Sequence, residues 1–518
     1  MNLRRALTRT AGIAVVSALA LAAALPASSR ASTRAISSGA PLTASQQTVL
    51  RGIAADTWKF YAADIDPTTH LPLDNLGPGS TRGEYTSAAN IGVYLWAVVA
   101  AHDLKLISGT QADSLVSATL KEVLTLQRYK GFLYQWYDTT NGNVLLNPGQ
   151  GDCTANEPTE SNCNFVSAVD NGWYATGLIE VRRALPEMSG LANRLLSPMD
   201  FSIFYDNRAQ TDCNTNANIA GNQPTGQQYG GYYVGVGPAG YHNGALYSDP
   251  RISIYIGMGR RQMPGDVWWR TWRTLPPQRC PTDPDFSWQG QWPVPGYWQT
   301  YTDPQSHKKF DVWEGHYVYP GTSLTFIPTF AGGMFEGLMA NLVVPETTWG
   351  THSFGLADLR WAQVQQMYAT NVLHYPVWGI SPSSTADDTG NYGGFGVEGL
   401  AFGAGEGLAQ CTTCATETTV SPHASAIALG VLPQQAYDNL QELRTLYPDI
   451  YTSDGGFYDA VNPTTGSVGH RRLVLDQSMI MAAIDNAINN DALGRYFTAD
   501  PISWAARVYL SMETMSIS

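Results

Sequence analysis

Carboxylates set among aromatic residues are the recurrent chemical feature of this chain. Asp138 follows GFLYQWY, Asp170 precedes NGWY, and Asp249 lies in ALYSDPRISIYIG. Glu314 lies in DVWEGHYVYPG, Asp387 and Asp388 lead into TGNYGGFG, and Asp476 opens DQSMIMAAIDNAI. Aromatic faces stack on the apolar faces of sugar rings and carboxylates bind hydroxyls, while cleavage of a glycosidic bond needs an acid and a base flanking it. Each residue also has a plainer use. Asp170 and Asp476 suit the start of a helix, where a carboxylate accepts from free N–H groups. Asp249 precedes Pro250, and proline is favoured at a first helical position. Glu314 and Asp388 fall in segments that read as loops, where solvated charge is the ordinary case. Trp136, Trp173 and Trp378 suit a core as well as a sugar platform. The strings GVGPAG and GFGVEG fit a dinucleotide pattern, but with 50 glycines in the chain and neither copy between a strand and a helix they carry no such site.

Helices must position these groups. In TSAANIGVYLWAVVAAHDLKLIS, Ile91, Tyr94, Leu95, Val98 and Val99 recur at helical spacing and predict one buried stripe. The following GTQADSLVSATLKEVLTLQRYKG repeats the pattern, so the two segments form a helical hairpin. Further helices are expected at 44–63, 166–186, 244–260, 354–373, 433–446 and 476–490. The stretches 205–243 and 275–322 are too polar or too rich in glycine and proline for helix, and short strands are expected there. The fold class is all-α with long decorated loops, and 46–518 reads as a single domain.

Residues 1–31 combine a basic start, an apolar run and small residues suited to cleavage, which marks a secretory signal; 32–45 reads as a disordered linker. Secretion is therefore expected, and export favours disulfides among the six cysteines. Cys153 with Cys163, Cys213 with Cys280 and Cys411 with Cys414 is one pairing of the roughly 15 that six cysteines allow. The formal charge of −13 becomes more acidic once Arg4, Arg5, Arg9 and Arg30 leave with the signal, which excludes nucleic acid and anionic membrane as natural partners. No later apolar run has the length of a membrane span. Charged residues make up only 14%, against 11% aromatic, a balance suited to neutral, ring-shaped ligands. No cofactor or metal is implied: DIDPTTHLPLDN and the DDTGN loop lack the ligand spacing of a calcium loop.

The ordered blocks GFLYQWYD, FVSAVDNGWYATGL, YSDPRISIYIG, FAGGMFEGLM, VWGISPSS, YGGFGVEGLA, VSPHASAIALGVLP, GFYDAVNP and LDQSMIMAAIDNAI carry a family likeness. Together they resemble the glucoamylase-like domain family, related to bacterial endo-β-1,2-glucanases and to the transglycosylating domain of cyclic β-1,2-glucan synthases. The resemblance spans roughly residues 50 to 500. It implies an (α/α)6 toroid whose inner and outer helices surround a cleft. It also implies that Asp249 is the general acid, at a position where the family usually has Glu, that Asp170 faces the cleft, and that Asp476 matches a late family aspartate. Pro382 stands where relatives often carry an acid.

The resulting expectation is an exported glycoside hydrolase acting on an oligo- or polysaccharide, with a β-glucan favoured. Asp249 would act as acid and Asp170 or Asp388 as base, with Glu314 and Asp476 as further candidates. Trp136, Trp173, Trp313, Trp378 and Tyr392 would line the subsites, and Arg251 would hold a carboxylate or a hydroxyl. Inversion is favoured because no residue stands out as nucleophile. The rivals are a transglycosylase or lyase on the same scaffold and a carbohydrate-binding protein without catalysis.

Overall fold

Side chains that satisfy the free N–H groups of a first turn set many of the helix starts. The computed structural model of the chain describes residues 37–208, 225–274, 295–397 and 418–518, all within the unit Ala35–Ser518. In chain order the helices are α1 Ala44–Asp64, α2 Ala88–Asp103, α3 Gly109–Val123, α4 Ala168–Ala184, α5 Ser189–Leu196, α6 Arg251–Gly259, α7 Asp266–Arg270 and α8 Met334–Leu338. They continue as α9 Glu346–Trp349, α10 Phe354–Met367, α11 Pro422–Ile427, α12 Pro433–Leu446, α13 Val474–Ile488, α14 Ala492–Ala499 and α15 Trp504–Met512. Thr43 with Gln46 forms a capping box before α1, and Ser108 with Gln111 does so before α3. Ser87 and Ser167 cap α2 and α4. Pro433, with no N–H to lose, opens α12.

Three expectations change. The helix expected over 244–260 begins only at Arg251, since the residue before a proline is pushed out of helical backbone and Pro250 becomes the cap. The segment after α10 widens into a single π turn, Tyr368–Val372. Part of the expected disordered linker is docked instead: Ser38 donates its N–H to Val431 O at 2.8 Å, and Gln434 Nε2 donates to Pro41 O at 3.0 Å.

The helices divide by burial. In α2 the whole run Ala88–Ala101 is buried, not the single stripe that periodicity predicts, and α4, α6 and α13 are similarly enclosed. α2 packs on α4 and α13, α4 on α6, and α8 on α11, which packs on α13. Hydrogen bonds from Arg251 tie α6 to the backbone of α8. Helices α1, α3, α5, α10 and α12 lie outside this series, each against an inner neighbour.

Glycine lets α2 and α4 approach closely. A Cβ on Gly92 would lie 2.5 Å from Trp173 O, and one on Gly177 would strike the backbone of Gly92. Short antiparallel strands decorate the loops, several where the glycine-rich stretches predict them. Gly231–Tyr233 pairs with both Phe165–Ser167 and Gly237–Pro238, and Gly296–Thr302 pairs with Lys309–Gly315. Cys153 and Cys163 form a disulfide, and Cys213, Cys280, Cys411 and Cys414 lie outside the described residues. Among the described residues no helix is long and apolar enough to cross a membrane.

Gly177→Ala is expected to cost about 1–3 kcal/mol by overpacking this helix contact. A lower urea midpoint at unchanged slope would show it. Gly190→Ala, on α5 with open space at its Cβ position, should leave the midpoint unchanged or raise it.

Candidate active site

The first turns of the inner helices carry polar groups at their third position: Asn90 in α2, Asp170 in α4, Glu336 in α8 and Asp476 in α13. Asp249 stands two residues before α6. Folding therefore gathers groups that are widely spaced along the chain. Asp170 does not cap its helix; Ser167 does, accepting from the Asp170 N–H at 3.2 Å, so the carboxylate is free to take Gln135 Nε2 at 3.1 Å. Asp476 likewise makes no cap.

Asp249 and Glu336 form a hydrogen-bonded carboxyl pair, with Trp173 donating to Asp249 and Ser248 Oγ donating to Glu336 Oε2 at 2.7 Å. Burial raises the pKa of both. For Glu336 the Asp249 charge raises it further, leaving it well above the usual carboxylate range. For Asp249 the Glu336 hydrogen bond opposes the rise and the Asp170 charge adds to it. Two carboxyls so placed share a proton and titrate as a pair. Burial also raises Asp170, against its bonds to Ser167 and Gln135. All three residues remain half-buried, so a ligand can reach them.

A second group lies deeper. His423, Asp459 and Asp476 are each 1% exposed. Asp459 Oδ2 accepts the Ser384 N–H at 2.6 Å, and burial, then the Asp459 charge, holds Asp476 well above its usual range. Burial pushes His423 down to about 4, so its ring is neutral. Tyr392 joins the two groups. Its surface is 48% exposed, yet burial of its hydroxyl and the charges of Asp476, Asp459, Glu336 and Asp74 push its pKa far up. Asp74, held by Asn90 Nδ2 at 2.9 Å, completes this side.

Several expected site residues sit elsewhere. Arg251 is 0% exposed and faces no cleft: it pairs with both oxygens of Glu346 at 2.8 Å and donates to Ser248 O, Glu336 O and Gly337 O. It thereby fixes the segments that bear Asp249 and Glu336. Glu314 is in a strand, not a loop, and is fully buried in a cluster with Tyr301, Arg273 and Glu513. Asp388 is exposed at the loop surface, where it binds the His470 N–H and ring. Trp378 is core, its backbone held by Asn439 and Ser425. Trp173 is 2% exposed, edge-on to Trp96, and reaches the site only through its N–H. Trp136 is half-buried against Tyr85, and Trp313 lies on the Gly296–Gly315 hairpin beside Trp298.

The open rings near the carboxylates are phenols. Besides Tyr392, Tyr241 is 46% exposed and feels the Asp170 charge. Sequence reasoning missed Glu336, Asp459, His423, Asp74 and Tyr241. The first three lie inside the quoted blocks FAGGMFEGLM, GFYDAVNP and VSPHASAIALGVLP, and the glycine pair before Met334 was the available sign of a helix start at Glu336.

Two outcomes follow from these buried charges. Burial, and next the Glu513 charge, push Glu314 from about 4.5 up to about 8, against Arg273 and the Tyr301 hydroxyl. A carboxyl raised in the fold stabilises fully below its unfolded pKa and loses that contribution as pH rises through the folded one. Glu314→Gln should therefore lessen the fall in Tm between about pH 5 and pH 8, measured by calorimetry. Arg251→Met leaves Glu346 buried and unpaired, with an expected cost of about 3–5 kcal/mol in urea unfolding.

Comparison with known proteins adds the relatives. Residues 307–501 match the family model described as "putative glucoamylase", and residues 52–232 match a second, described as a protein of unknown function. The fold is similar to that of an endo-β-1,2-glucanase from Chitinophaga pinensis, solved with sophorotriose and glucose. That match has 14% identity over 91% of this chain and 98% of the other, with a TM-score of 0.61. An endo-β-1,2-glucanase from Talaromyces funiculosus, solved with sophorose, aligns at 12% identity over 90% and 88% of the two chains, with a TM-score of 0.58. A stretch of 135 residues, 26% of the chain, is 31% identical to the cyclic β-(1,2)-glucan synthase NdvB of Rhizobium meliloti, and spans only 4% of that protein. The chain thus resembles the glucoamylase-like family, as its ordered blocks imply, and its fold is similar to those of the endo-β-1,2-glucanases.

Proposed function

We propose that this chain is an exported glycoside hydrolase that cleaves a neutral β-glucan, with β-1,2-glucan as the first substrate to test. The observation that carries the reading is the half-buried Asp249–Glu336 pair sharing a proton beside Asp170. The architecture we assign is the (α/α)6 toroid, supported by the series α2, α4, α6, α8, α11, α13 and its return to α2. Secretion rests on the signal-like first 31 residues and is supported by the disulfide.

In this reading Asp249, supplied through Glu336, gives its proton to the glycosidic oxygen as the C–O bond breaks. Asp170 takes a proton from the water that attacks the anomeric carbon, and both products leave as free sugars. Tyr392 and Tyr241 offer ring faces to the glucose units. Asp388 is left out as base because it is exposed and engaged by His470. β-1,2-Glucan is supported by the fold shared with glucanases of that linkage.

The test is incubation with a panel of β-glucans, with the products followed by anomer-resolved NMR. We expect oligosaccharides of inverted anomer, and a fall in kcat of about 10²–10⁴-fold for Asp249→Asn and for Glu336→Gln. Activity should be lost as pH rises through the upper pKa of the pair, which must hold a proton. It should also be lost as pH falls through the raised pKa of Asp170, which must be ionised. Unchanged turnover in Asp249→Asn would overturn the assignment, and new linkages or an unsaturated sugar would replace hydrolysis with transfer or elimination.

A further inference from the structure

We propose that His423, Asp459 and Asp476 bind a divalent cation of the Zn²⁺ or Mn²⁺ kind. The three side chains come from three separate elements: the first turn of α11, the link between the strands Gly456–Phe457 and Ala460–Val461, and the first turn of α13. Each offers one ligand atom, and these atoms lie within 4.8 Å of one another.

An independent observation points to an occupant. Both ring nitrogens of His423, both oxygens of Asp476 and Oδ1 of Asp459 are buried without a hydrogen-bond partner. His423 Nδ1 lies 3.3 Å from Asp476 Oδ2, an approach that makes no hydrogen bond. Buried polar atoms are nearly always satisfied, and orphaned ones cost the full price of desolvation. A proton shared between the two aspartates would satisfy one oxygen of each and leave the second Asp476 oxygen and both imidazole nitrogens unmet. A cation meets one nitrogen and both carboxylates together.

The donor set selects the ion. One imidazole with two carboxylates suits Zn²⁺ or Mn²⁺, whereas Ca²⁺ and Mg²⁺ take oxygen ligands. The Ser384 N–H on Asp459 Oδ2 orients that carboxylate, as partners behind metal ligands do. The Phe335 ring, 6.3 Å from that of His423, covers the imidazole. Three protein ligands leave further coordination positions open. The site belongs to this chain's own residues and does not depend on which glycan, if any, is cut.

The test uses full-length protein stripped with EDTA and titrated with ZnCl₂ or MnCl₂, with bound metal counted by mass spectrometry. We expect one ion per chain, a higher Tm with metal, and at least tenfold weaker binding in His423→Ala and Asp476→Asn. His352→Ala, which removes an exposed histidine, should bind as the parent does. Should both site variants fail to fold, pulsed EPR of the Mn²⁺-loaded parent decides: coupling to a single imidazole nitrogen supports the site. No retained metal, equal binding in His423→Ala, or a spectrum without nitrogen coupling would overturn it.

Discussion

The Arg251 guanidinium, wholly out of water, is bonded at once to the Glu346 carboxylate and to the backbone oxygens of Ser248, Glu336 and Gly337. Its planar fork suits this work, since donors in fixed directions hold several acceptors in fixed relation. Those acceptors are the neighbours of Asp249 and Glu336 themselves. A buried charge pair is weak evidence of stability, because desolvation offsets most of the attraction. What the pair secures is position, and the two carboxyls that share a proton depend on it. Tyr255, donating to Glu346 Oε1 at 2.6 Å, holds the counter-ion from the other side.

The acids at the inner helix starts feel two opposed effects. A helix start favours negative charge by about 0.3–1 kcal/mol, and Asp170, Glu336 and Asp476 all occupy first turns. Burial favours the neutral form, and a single pKa unit already amounts to about 1.4 kcal/mol. Burial wins at each of these positions, where the pKa is raised. Carboxyls raised in this way exchange protons nearer neutral pH, where acid and base catalysis works best. Close packing of α2 on α4 through Gly92 and Gly177 brings these two helices backbone to backbone.

Local order was legible in the amino-acid sequence wherever it depends on neighbours a few residues away. Apolar spacing and glycine-rich breaks place α1, α2, α3, α4 and α12, and export chemistry points to the Cys153–Cys163 bond. The ordered blocks marked the family, and Asp170 and Asp249 stood out because aromatic residues flank them. These signals are short-range, and a single sequence carries them.

Contacts between distant segments were not legible, because spacing along a chain says nothing of which charge meets which. Arg251 and Glu346 are 95 residues apart, and their pairing turns an expected sugar ligand into a buried clamp. Glu314 and Asp388 look alike as acids among aromatic residues, yet one is a buried residue of a hairpin strand and the other lies in solvent beside His470. Glu336, Asp459 and His423 acquire meaning only when helix starts and a strand link converge, since burial and shared protons arise from proximity. The chain itself determined its helices, its family likeness and the kinds of groups available for chemistry. Tertiary structure alone decided which carboxyls lose water together, and desolvation, being a property of the assembled surroundings, is what separates a carboxyl of raised pKa from a surface charge.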